Sequence, residues 1–265
     1  MTYEITVRSL EEIVTLAQIL KENQITQIHL TDKNGLIDNL ESGNLLSQAY
    51  PELTIFKTNY ALKNHTSKVP EKILANMDGY ILQAAKSQVD EILIISGHPR
   101  PKFDSLKALQ RLAKQINTDP DFADLKNLKF GVSFNPYLPT PSLEEEKERL
   151  YQKLTTGLVS SIYLQIGTDT TKLQDGLKFI QANFPTTKIV GSLLIPNQQF
   201  LARFQFRPWK GVFLDQDYLE NLHLAEQKTR EILAIYELHK VEPLIQILPF
   251  NSQNILNFRA KYFTK

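Results

Sequence analysis

At 265 residues, 42% of them hydrophobic and 22% charged, the chain has enough apolar mass for a core and is no candidate for global disorder. Its net charge of +1 advertises neither nucleic acid nor an anionic membrane as a partner. With no cysteine, disulfides, thiolate nucleophiles and thiolate metal ligands are excluded. The opening MTYEITVRSLEE lacks the basic and apolar regions of a signal peptide, and no apolar run approaches a bilayer span. The expectation is a soluble cytoplasmic protein.

The predicted elements then alternate along the chain. Tyr3 to Val7 reads as a strand, and Leu10 to Leu20 carries Ile13, Leu16, Ile19 and Leu20 at helical spacing. Gln27 to Thr31 is a second strand, and a helix over Leu40 to Tyr50 stops before Pro51. Leu53 to Asn59 is the third strand. Val69 to Gln88 is helical in period, with a kink or split expected at Asp78-Gly79. Glu91 to Ser96 is mostly isoleucine and leucine, as in a parallel strand buried on both faces. Helix Ser105 to Ile116, strand Phe130 to Phe134 and helix Leu143 to Leu154 follow. Next come strand Ile162 to Ile166, helix Thr171 to Ala182, strand Lys188 to Ile195 and an apolar helix over Phe200 to Phe206. The long helix Leu222 to His239 leads into strand Leu244 to Leu248 and a closing helix near Ile255. Eight strands, each followed by a helix, predict one (β/α)8 TIM barrel of the α/β class, with residues 1–265 as a single domain.

On such a barrel the loops after the strands open onto one rim, where the chemistry is kept. That rim, in chain order, offers Thr31, Asn59, His98, Asn135, Gln165 and Asn251. Glu4 and Gln165 stand apart because each lies within an apolar strand, where an inward polar side chain costs a few kcal/mol unless it has a partner. The alternative for Glu4 is a frayed chain start with its carboxylate in solvent. Pattern alone leaves both readings open.

The stretch KLTTGLVSSIYLQIGTD, followed after a helix by KIVGSLLIP, resembles the matching part of the methylenetetrahydrofolate reductase family. That family has a lysine-to-glycine helix end, a strand closing on a glutamine, an aspartate four residues later and a glycine-broken next strand. The resemblance implies an oxidoreductase of one-carbon metabolism, a flavoprotein in which NAD(P)H reduces FAD and the flavin passes hydride to a folate iminium. It implies Glu4 as general acid, and Gln165, Thr31 and Asp169 as contacts of a folate substrate. Lys153 and Glu146 on one helix would hold the flavin's phosphates and sugar portion. Asn135 in SFNP stands where a flavin-contacting tyrosine is expected, with Gly97 and Asn59 completing the cofactor side.

The clearest departure is ISGHPRP, where the family has arginine-glycine-aspartate and this chain keeps only Gly97, with His98 in the aspartate's place. An imidazole there removes or reverses the local charge and offers His98 as a rival proton donor. Other chemistries find less. The chain has no GxGxxG, GxxxxGK[ST], HxH, HExxH or GxSxG pattern. Its five histidines are scattered, and no metal is expected. Two readings follow. One is the flavin- and NADH- or NADPH-dependent reductase, cytoplasmic, acting on a small folate, with a homo-oligomer left open. The other is a divergent barrel without catalysis that binds folate or a partner.

Overall fold

The computed structural model describes residues 1–33, 37–65, 67, 69–97 and 100–263. Eight strands close into a barrel in chain order, β1 to β8. They are β1 (Thr2–Ile5), β2 (Gln27–Leu30), β3 (Ile55–Ala61), β4 (Val89–Ile95), β5 (Lys129–Phe134), β6 (Val159–Leu164), β7 (Lys188–Leu194) and β8 (Glu242–Gln246). Pairing is parallel from β2 through β5 and from β6 through β8. The expected TIM barrel is the observed fold. The chain divides into two compact units, one comprising Glu4–Val132 and Arg149–Ser160, the other Met1–Tyr3, Ser133–Glu148 and Ser161–Lys265.

In the first of these units, α1 (Glu12–Glu22), α2 (Asn39–Ala49), α3 (Pro70–Ala85) and α4 (Ser105–Thr118) follow the first four strands. Helix α1 buries Ile13, Leu16, Ala17 and Leu20, one stripe at helical spacing. Each such Leu or Ile contributes about 1.5–3 kcal/mol on full burial. Helix α2 lies against β3 because Gly43 leaves room for the Phe56 ring. Asn39 of α2 hydrogen-bonds Thr58 at 2.9 Å, and Tyr80 of α3 reaches the same hydroxyl at 3.4 Å. Phe56 and Thr58 therefore point to the helices, and Lys57 and Asn59, alternating with them, point to the inner face of the sheet. Two expectations shift here. Strand β3 continues past Asn59 to Ala61, so Asn59 lies inside the strand. Helix α3 runs unbroken through Asp78-Gly79, where Arg111 holds Asp78 in an ion pair at 2.6 Å.

The other unit carries most of α5 (Ser142–Leu154), with α6 (Thr170–Asn183), α7 (Gln198–Phe206), α8 (Gln216–Glu220), α9 (Leu222–Leu238) and α10 (Ser252–Tyr262). Leu194, Phe200, Leu201, Phe204, Tyr218 and Ala225 form one buried cluster. Gly191 does not break β7. It lies within the strand, and its missing side chain makes room for the ring of Tyr236, whose hydroxyl donates to Ser192 O at 3.2 Å.

Candidate functional site

The register of the first four strands sets four ionisable residues side by side. His29 is the partner of Lys57 across β2 and β3, and Lys57 is the partner of Glu91 across β3 and β4. Thr31 N donates to Ile5 O at 3.0 Å, which in a parallel ladder puts Ile5 beside Leu30 and therefore Glu4 beside His29. Partners across a ladder share a face, so Glu4, His29, Lys57 and Glu91 form one row on the inner face, opposite the helices.

Burial decides what the row can do. Lys57 Nζ stands 3.1 Å from Glu91 Oε2, with side-chain exposures of 7% and 3%. Ser160 Oγ adds a long hydrogen bond to Glu91 Oε1 at 3.4 Å. His29 is buried, and burial pushes its pKa down to about 4; the field of Glu91 raises it and that of Lys57 lowers it further. It is therefore neutral near pH 7. Glu4 keeps a partial opening to solvent, yet burial among dense protein pushes its carboxyl up to about 7, against a downward pull from the Lys33 charge. A paired ammonium and carboxylate, a neutral imidazole and an acid titrating near neutrality thus stand on four consecutive strands. Two shifted groups, Glu4 and His29, beside a buried ion pair make this row a candidate functional site.

One step toward the strand ends lie Thr6, Thr31 and Asn59. Thr6 Oγ1 and Thr31 Oγ1 are 2.7 Å apart, and Asn59 Oδ1 accepts from Asp32 N. Asp32 also accepts from His65 Nε2 at 2.9 Å and Ala61 N at 2.7 Å. Its burial raises the carboxyl pKa, but these bonds and that from Asn64 outweigh it and hold the group below its usual range.

Of the residues singled out in the sequence, Glu4, Thr31 and Asn59 come together here. Glu4 is a strand residue on the inner face and not a frayed end. The others are spent on local structure. Gln165 Oε1 accepts from its neighbour Ile166 N at 2.9 Å. Asp169 caps α6, accepting from Lys172 N at 3.0 Å. Asn135 accepts from Tyr137 N at 3.1 Å and donates to Gly211 O at 3.0 Å, bracing that loop. Gly97 has φ +79°, and a side chain there would strike Lys63. Lys153 is 3% exposed, two helical turns from the half-buried Glu146. His98 lies outside the described residues. Sequence reasoning passed over His29, Lys57 and Glu91, although Lys57 and Glu91 carry the same signature as Glu4, a charge within a strand. Among the described residues no group of three or more His, Asp or Glu is arranged to hold a metal, and no helix is long and apolar enough to cross a membrane.

No family model matches the chain, and no curated protein does. One similar solved structure is titled a crystal structure analysis of the 4-hydroxy-2-oxoglutarate aldolase/2-deydro-3-deoxyphosphogluconate aldolase from TTHB1. It has TM-score 0.40 and 16% identity, covering 88% of this chain and 92% of that one. Another, titled native KDPGal structure, has TM-score 0.42 and 11% identity over 90% and 94% of the two chains. Likeness at this level carries no argument about activity, and the barrel rests on its own strand order.

The expected methylenetetrahydrofolate reductase family is corrected: no family model and no curated protein matches the chain, and neither solved structure named above is titled a reductase. The oxidoreductase activity, FAD, NAD(P)H, the folate substrate and the one-carbon role fall with it. The divergent barrel without catalysis, binding folate or a partner, gains no support from these comparisons either. The residues give a physical reason as well. Lys153 is buried, and both ends of the Asn135 amide are engaged within the protein.

Proposed function

We propose that the protein is an enzyme of amine catalysis, in which Lys57 forms an imine with the carbonyl group of a small molecule. The observation that carries this reading is the inner-face row, a buried lysine 3.1 Å from a carboxylate and flanked by a neutral imidazole. A lysine becomes a nucleophile when it sheds its proton. Transfer of one proton from Lys57 to Glu91 leaves an amine and a carboxylic acid, a pair that a desolvated interior tolerates better than water does.

The amine nitrogen then adds to the carbonyl carbon, and a proton moves from nitrogen to oxygen to give a carbinolamine. Glu4, with its pKa near 7, adds a second proton to that hydroxyl. The C–O bond breaks, water leaves, and a cationic imine remains, balanced by the carboxylate of Glu4 while Glu91 keeps the proton taken from Lys57. The imine draws electrons from a bond to the adjacent carbon, and neutral His29 accepts the proton released there. The reading keeps the one-domain, cytoplasmic, small-molecule expectation as part of the same proposal.

Reductive trapping tests it. The protein is incubated with pyruvate, dihydroxyacetone or glycolaldehyde in the presence of borohydride, digested, and mapped by mass spectrometry. Preferential conversion of Lys57 to a secondary amine, absent in a folded Lys57→Met variant, is the expected result. Labelling confined to exposed lysines would overturn the assignment.

A further inference from the structure

We infer that the substrate carries a hydroxyl group on the carbon next to its carbonyl, and that Thr31 and Asn59 select for it. The inference rests on imine formation at Lys57 and adds the substrate's class. Thr6, Thr31 and Asn59 each follow by two residues a member of the ionisable row, namely Glu4, His29 and Lys57. They therefore share its face, about 6.6 Å nearer the strand ends at roughly 3.3 Å per residue.

Two hydroxyls and an amide make up this tier. The Thr6 and Thr31 hydroxyls meet at 2.7 Å and Thr31 Oγ1 donates to Ile5 O at 3.4 Å, so both protons are engaged and the pair offers a ligand its lone pairs. Asn59 offers its oxygen to Asp32 N, which leaves its NH2 as the donating end. A tier that accepts through its hydroxyls and donates through its amide matches a hydroxyl, which does both. Exposure is shared between the two tiers: Glu4 in the row and Thr6 and Asn59 in the tier are partly exposed, while His29, Lys57, Glu91 and Thr31 are buried.

The test compares two aldehydes with one carbon skeleton, glycolaldehyde with the hydroxyl and acetaldehyde without it, by borohydride trapping at Lys57. A site built to hydrogen-bond a hydroxyl discriminates against the analogue lacking it, so glycolaldehyde should label Lys57 about ten-fold faster or more. Thr31→Val, which keeps shape and loses the hydroxyl, should bring that ratio toward one, and Thr31→Ser should restore it. Asn59→Asp keeps the acceptor for Asp32 N and removes the NH2 donor, and should also lower the ratio. Thermal melts identify any variant that fails to fold, and the wild-type ratio stands without them. Equal labelling by the two aldehydes, or a ratio untouched by Thr31→Val and Asn59→Asp, overturns this inference while imine formation stands. Failure of both aldehydes, pyruvate and dihydroxyacetone to label Lys57 overturns the imine reading, and this one with it.

Discussion

Lys57 Nζ and Glu91 Oε2 meet at 3.1 Å on adjacent parallel strands, with almost all of both side chains withdrawn from solvent. A pair of this kind gives little net stability over a hydrophobic pair of the same volume, because desolvation consumes most of the Coulomb gain. Losing one member is another matter, since the survivor is left buried and uncompensated.

Glu91→Leu should therefore destabilise the protein by about 3–5 kcal/mol, and Lys57→Met should also destabilise it. The double variant should recover most of the loss, with a coupling energy above about 1 kcal/mol in a urea-denaturation cycle. Strictly additive effects would mean that the two groups do not interact in solution, and the row would lose its centre.

Glu4 and His29 make opposite contributions to the dependence of stability on pH. The folded carboxyl of Glu4 is raised from 4.5 to about 7, so its contribution is complete below pH 4.5 and lost as pH rises through 7. His29 is lowered from 6.5 to about 4, so its contribution is complete above pH 6.5 and lost as pH falls through 4. Glu4→Gln removes the first loss. At pH 8 the variant should exceed the wild type by on the order of 2 kcal/mol, after allowance for the partial exposure of Glu4, and the two should converge near pH 4. Urea midpoints measured across that range check it. Parallel profiles for variant and wild type would show that Glu4 titrates normally.

Much of the fold was legible because a barrel writes its period into the chain. Apolar strands and amphipathic helices alternate eight times, and the structure shifts some boundaries without losing a strand. Glu4 was legible for a related reason, as a charge among apolar strand residues. Lys57 and Glu91 bear that mark too, but their meaning comes from register. Only the ladder shows that Lys57 faces Glu91 on one side and His29 on the other. Gln165, Asp169 and Asn135 are ambiguous in the sequence for the converse reason. A polar side chain at a strand end looks the same whether it awaits a ligand or satisfies a nearby backbone N–H, and here each serves the backbone. Asp169 could be read as a cap, since it stands directly before the helix-opening Thr170-Thr171.

Two glycines that the sequence marks as breaks, Gly79 and Gly191, should respond to alanine with opposite signs. Gly79 sits in the middle of α3, and a Cβ there would meet nothing within 4 Å. Its conformation is helical, so Gly79→Ala removes freedom from the unfolded chain without strain and should stabilise by about 0.4–1 kcal/mol. Gly191 sits in β7, where a Cβ would fall 2.3 Å from the Tyr236 Cζ and 2.4 Å from Cε2. The Tyr236 ring is buried and tied through its hydroxyl to Ser192 O at 3.2 Å, so it has little room to yield. Gly191→Ala should cost about 1–3 kcal/mol, as overpacking does. Tyr236→Leu is destabilising by itself, but it shortens the side chain below the clash, so the penalty of Gly191→Ala should shrink in that background. Urea denaturation of the four single and double variants measures all of this. A Gly191→Ala protein as stable as wild type would mean that α9 can back away from β7, and the close packing described for this unit would be wrong.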